Sequence, residues 1–129
     1  LQQGNLYINA VGYAELVPAF DDMPALDAFL KLAKITVKDI SRPAAYLAGE
    51  TFLLYRKSKG TKTGVLADFF IGAQAQAEGW TILTRDAARY KTYFSGVKLV
   101  CPWCGEIYLL NMPPAGVFIA WVAIEVIVN

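Results

Sequence analysis

The chain has 129 residues, which fits one domain, and its hydrophobic fraction of 56% favours a packed core over disorder. Its 12 basic and 11 acidic residues leave a net charge of +1, so any nucleic-acid contact requires a local basic patch. The absence of histidine excludes histidine acid–base catalysis, histidine-ligated zinc and Ser-His-Asp triads.

Strand and helix signals alternate along the chain. Short apolar segments predict strands at residues 6–8, 35–37, 80–84 and 98–100. Helical patterns predict helices that begin at residue 10, after residues 21–22 and at residue 41, and two more over 67–78 and 87–93. Residues suited to N-capping precede the first three helices: Asn9, the pair Asp21 and Asp22, and Ser41. The alternation predicts an α/β sandwich around a short parallel sheet, with ligands beyond the carboxyl ends of its strands.

Three carboxylates lie in apolar surroundings near the ends of predicted elements: Glu15, Asp68 and Asp86. Clustered carboxylates repel one another unless cations neutralise them, and their oxygen ligands suit Mg²⁺ or Mn²⁺. Such ions activate water and align a phosphodiester without any histidine. Each acid also has a purely structural interpretation. Asp68 suits the first turn of a helix, Asp86 suits an N-cap, and Glu15 suits a solvated helix position.

Three segments carry motifs that are specific in combination. They are 8–16 (INAVGYAEL), 60–73 (GTKTGVLADFFIGA) and 83–90 (LTRDAARY), the last followed by Tyr93 and Phe94. Over about residues 5–102 the chain resembles PIN-domain ribonucleases of the VapC toxin type. The resemblance implies a PIN-like α/β/α sandwich. It also implies Glu15, Asp68 and Asp86 as catalytic and metal-binding acids, with Thr84 as a hydroxyl in the same pocket. Asn9 follows a predicted strand and is expected at the same end of the sheet.

The resemblance further implies a Mg²⁺- or Mn²⁺-dependent endoribonuclease with an RNA substrate, a cognate antitoxin as partner and a homodimeric state. The family begins with a central strand that ends in aspartate, and no residue before Glu15 supplies that acid here. We therefore expect residues 1–102 to form a partial PIN domain without its first strand, and its activity to be impaired. The alternative is a non-catalytic remnant of this fold that acts as a protein-binding module.

A basic cluster follows the third predicted helix: Arg56, Lys57, Lys59 and Lys62. These side chains are suited to hold RNA phosphates beside the acidic pocket. The alternative is a solvated helix end whose positive charges complement the helix dipole.

Residues 103–129 form an atypical apolar extension. Its segment 117–128 is interrupted by Glu125 and is too short to cross a bilayer, so no membrane association is expected. We expect this segment to pack over part of the slot that the missing strand leaves, with Glu125 as the first candidate to replace the missing aspartate. The alternative is a loosely attached, poorly ordered extension. Cys101 and Cys104 are too few for a disulfide framework, which favours a cytoplasmic location. A redox or zinc role for these two cysteines is a distant alternative.

Overall fold

The computed structural model describes residues 5–62, 65–84, 87–100 and 126–128. Asp86, Cys101, Cys104 and Glu125 lie outside these residues. The strands are β1 (Leu6–Asn9), β2 (Ile35–Lys38), β3 (Thr81–Leu83), β4 (Leu99–Val100) and β5 (Val126–Val128). The helices are α1 (Ala10–Leu16), α2 (Met23–Leu32), α3 (Arg42–Lys57), α4 (Val65–Glu78) and α5 (Ala88–Lys91), and a short 3₁₀ helix (Val17–Ala19) follows α1.

The predicted helix starts are confirmed by side-chain caps. Each capping oxygen accepts a hydrogen bond from the backbone N–H three residues later: Asn9 from Gly12 at 3.0 Å, Asp22 from Ala25 at 2.8 Å and Ser41 from Ala44 at 3.2 Å. These bonds satisfy N–H groups that have no partner within the helix. Gly79 ends α4 with a φ of +70°, a conformation that favours glycine over other residues. Helix α5 is shorter than the segment 87–93 predicted for it.

Five strands form one sheet in the order β2-β1-β5-β3-β4. β1 pairs with β2 in parallel, and β3 pairs with β4 in parallel, which agrees with the predicted parallel sheet. β5 lies between β1 and β3 and runs antiparallel to both. The sheet is therefore mixed, and the last three described residues of the apolar extension occupy its centre.

Side chains on the two faces of the sheet pack into two separate hydrophobic cores. Ile8 and Leu83 pack with buried residues of α1 and α2, among them Leu16 and Phe29. Ile82, next to Leu83 on β3, faces the other core, which α3, α4 and α5 cover with Ala48, Phe69 and Tyr90 among its buried residues. Because successive strand residues point to opposite faces, the sheet is covered on both sides by helices. The described part of the chain is a mixed α/β structure. It contains no helix that is long and apolar enough to cross a membrane.

Candidate acidic site

Two of the three predicted acids come from helices that meet at one end of the sheet. Glu15 lies near the end of α1, which begins directly after β1. Asp68 lies in the first turn of α4. α4 leads through the turn at Gly79 into β3, so its first turn lies toward the carboxyl end of that strand. Thr84 follows β3 directly at the same end.

Glu15 and Asp68 are close enough to influence each other electrostatically. Loss of hydration around the carboxyl group raises the pKa of Glu15, and the negative charge of Asp68 raises this pKa further. The positive charge of Arg89 acts in the opposite direction and lowers it. The residue as a whole is exposed, so its carboxyl group loses only part of its hydration. The result is a pair of carboxylates from two helices that share one local environment.

Arg89 supplies a positive charge to this pair. Its guanidinium Nη1 lies 3.4 Å from Oδ1 of Asp68, and the Asp68 side chain is only 17% exposed against 51% for Arg89. The first turn of α4 also favours a negative charge at Asp68 through the helix dipole. Arg89 belongs to the third motif, but the sequence interpretation assigned it no role. Its signal was its place three residues after Asp86 within that motif.

Asn9 and Thr84 are both buried to 1% exposure at the same end of the sheet. The side-chain oxygen of Asn9 caps α1, and its Nδ2 donates to Oε1 of Gln74 at 2.9 Å. Gln74 Nε2 in turn donates to the carbonyl oxygen of Asp39, just after β2, at 3.1 Å. Asn9 was predicted to line the pocket. Its observed contacts give it a positioning role, because they tie α1, α4 and the end of β2 together.

Gln74 is the residue that sequence interpretation missed. It is fully buried between the apolar residues Ala73 and Ala75 of α4. The same run of small apolar residues also contains Gln76, which is exposed, so no signal in the sequence singles out Gln74 as the buried amide.

The predicted basic cluster is exposed at the end of α3 and in the following loop. Arg56 lies 5.9 Å from the centre of the Phe52 ring, and the backbone N–H of Lys62 donates to the hydroxyl of Tyr55 at 2.9 Å. The loop leads into α4, whose first turn carries Asp68. Lys62 therefore precedes Asp68 by six residues along the chain.

The candidate metal ligands among the described residues are the carboxylates of Glu15 and Asp68 and the hydroxyl of Thr84. Oxygen ligands of this kind suit Mg²⁺ or Mn²⁺. Within the described ranges, no three histidine, cysteine, aspartate or glutamate side chains form a group that could hold a metal ion. Asp86, the third predicted acid, lies outside these ranges. Compared with models of protein families, with curated proteins and with solved structures, the chain matches none. Its function is therefore inferred from its own residues.

Proposed function

We propose that the chain is a Mg²⁺- or Mn²⁺-dependent endoribonuclease of PIN-like α/β/α architecture that hydrolyses RNA phosphodiester bonds at the Glu15–Asp68 site. The observation that carries the proposal is the electrostatic coupling between these two acids. They belong to different helices, and the charge of Asp68 raises the pKa of Glu15. Carboxylates held together in this way are typical of sites that bind a divalent cation.

In this proposal the carboxylates of Glu15 and Asp68, with Asp86, would hold the cation. Such an ion would supply activation of water and charge stabilisation of the leaving oxygen. Arg89 offsets one negative charge of the pair, and the buried Asn9–Gln74 bond fixes the helices that carry the acids. Lys59 and Lys62 attract the RNA backbone. A cognate antitoxin that blocks this end of the sheet is the partner expected of such an enzyme.

We propose further that this activity is low, and the centre of the sheet is the reason. The resemblance assigns this position to a strand that ends in aspartate, whereas β5 holds it here with only valine and isoleucine. These three residues bring no carboxylate to the site. A cation held by fewer protein ligands is bound weakly and is less accurately placed, and misplacement reduces rate by about a hundredfold or more.

The test is cleavage of a mixed RNA pool by the 129-residue chain, with Mn²⁺ and with EDTA as control. We expect slow cleavage that EDTA abolishes. Asp68→Asn and Glu15→Gln should each abolish it, because each removes a carboxylate ligand. Glu78→Gln, at the opposite end of α4 from Asp68, is the matched control and should retain cleavage.

Titration of Mn²⁺ by electron paramagnetic resonance separates the enzyme from its alternative, a protein-binding module of the same fold. Weak Mn²⁺ binding that Asp68→Asn removes supports the nuclease. Absence of both Mn²⁺ binding and cleavage contradicts the nuclease and favours the binding module. The sequence of β5 is the reason to consider this alternative, because its three residues are apolar and include no metal ligand.

A further inference from the structure

Arg89 brings a positive charge to the acidic pair from α5, a third helix. Its Nη1 donates to Oδ1 of Asp68 over 3.4 Å. Its charge also acts on Glu15, because it lowers the pKa that Asp68 raises. Helices α1, α4 and α5 therefore bring two negative charges and one positive charge into electrostatic contact. The two carboxylates repel each other, and Arg89 reduces this repulsion.

The two partners of this ion pair differ in how easily they can move. The side chain of Asp68 is only 17% exposed, and the next residue on α4, Phe69, is buried in the core. The side chain of Arg89 is 51% exposed, whereas the next residue on α5, Tyr90, is fully buried and fixes the helix to the core. Exposed side chains change rotamer within nanoseconds. The guanidinium can therefore leave Asp68 while α5 stays in place.

A guanidinium and a divalent cation bind the same kind of oxygen. The guanidinium binds a carboxylate through its N–H donors, and Mg²⁺ or Mn²⁺ binds a carboxylate oxygen directly. A cation on Asp68 would place two further positive charges beside Arg89 in a partly buried environment, where like charges repel strongly. Asp68 therefore cannot hold both without a cost in free energy, and the exposed arginine is the partner that can move away.

We propose that Arg89 competes with the divalent cation for Asp68: its guanidinium holds the two carboxylates together in the absence of the cation and turns toward solvent when the cation binds. The proposal rests on the cation-dependent function proposed above. It gives Arg89 a role opposite to that of a metal ligand, because the ion pair must break before Asp68 binds metal. The ion pair therefore weakens the affinity for metal, and its loss should tighten binding.

The first experiment titrates Mn²⁺ into the 129-residue chain and follows binding by electron paramagnetic resonance. Arg89→Ala should lower the dissociation constant by about threefold to tenfold, which corresponds to the strength of a partly exposed ion pair. Lys91→Ala is the matched control, since it removes an exposed positive charge from the same helix at a position about 200° around its axis. This variant should bind Mn²⁺ within about twofold of the wild-type affinity, because solvent and salt screen an exposed charge.

An Arg89→Ala variant that binds Mn²⁺ no more tightly than wild type overturns the proposal. An equal gain in Lys91→Ala also overturns it, because that gain would reflect net charge alone. The readout is metal binding and not RNA cleavage. A chain that cleaves no RNA but binds Mn²⁺ more tightly after Arg89→Ala therefore supports the competition and contradicts only the nuclease. A chain that cleaves RNA without this gain contradicts only the competition.

The second experiment measures urea unfolding by circular dichroism, in EDTA and in excess Mn²⁺. In EDTA, Arg89→Ala should lower the urea midpoint, because the two carboxylates lose their counter-charge. In excess Mn²⁺ this difference should vanish or reverse, because the cation replaces the guanidinium and binds the variant more tightly. A purely structural role for Arg89 predicts the same loss of stability under both conditions, and that result overturns the proposal.

Discussion

The two acids of the candidate site illustrate how a functional arrangement opposes stability at the level of single residues. The pKa of Glu15 is raised by loss of hydration and by Asp68, so the folded state favours its protonated form. Ionised Glu15 therefore destabilises the fold. This penalty is absent below the ordinary glutamate range, grows as pH rises through that range, and is complete above the raised pKa.

Glu15→Gln should accordingly stabilise the protein at about pH 7 and have little effect at about pH 3.5, where the wild-type carboxyl is already neutral. The stabilisation is expected to be less than about 1 kcal/mol, because Glu15 is exposed overall and solvent screens much of the repulsion. Urea unfolding of both proteins at the two pH values measures the difference. Glu78→Gln serves as control. If the Glu15→Gln variant is less stable than wild type at neutral pH, the repulsive environment inferred for Glu15 is contradicted.

At the scale of elements, the buried Asn9–Gln74 bond determines how the helices around the site are held. Asn9 combines two tasks, since its side chain caps α1 and also donates to Gln74 on α4. Asp22 and Ser41 each make a comparable cap at other helices, and they offer matched controls for the capping contribution alone.

Asn9→Ala should lower the free energy of unfolding by about 2–4 kcal/mol, the sum of a lost cap and a buried amide left without its partner. Ser41→Ala should lower it by only about 1 kcal/mol. Asn9→Ser keeps a capping oxygen and should fall between the two. Urea unfolding measures all three values. Equal effects of Asn9→Ala and Ser41→Ala would show that the bond to Gln74 contributes nothing.

These elements also show what the sequence predicts and where its information ends. The helix starts at Asn9, Asp22 and Ser41 were predictable because a cap acts on an N–H only three residues away. Strand order and the resemblance led to the expectation that Glu15 and Asp68 lie at one end of the sheet, and this placement stays a prediction beside their electrostatic coupling. The bond between Asn9 and Gln74 joins positions 65 residues apart, so no local pattern indicates it. The antiparallel direction of β5 was equally hidden, because an apolar segment pairs in either direction.

At the scale of the whole molecule, β5 connects the two halves of the sheet. β1 with β2, and β3 with β4, form two parallel pairs, and β5 is hydrogen-bonded to β1 on one side and to β3 on the other. Val126–Val128 lie in the centre of the sheet, which agrees, for these three residues, with the expectation that segment 117–128 packs against the domain. The remainder of that segment lies outside the described residues.

A substitution at Ile127 should disturb this connection strongly, because Ile127 pairs with Tyr7 of β1 and also with Ile82 of β3. Ile127→Pro removes the backbone N–H and places a ring in the middle of the sheet, so it should lower the free energy of unfolding by about 2 kcal/mol or more. Ile127→Val retains the N–H and should lower it by no more than about 1 kcal/mol.

Hydrogen exchange measured by mass spectrometry locates the effect of Ile127→Pro. In the wild-type chain the amides of 126–128 should be protected. In the proline variant, exchange should accelerate in β5 and in its neighbours β1 and β3, because all three lose a shared ladder. Fast exchange at 126–128 in the wild-type chain, or a proline variant as stable as wild type, would show that β5 does not join the two halves. The sheet would then require another connection between β1 and β3.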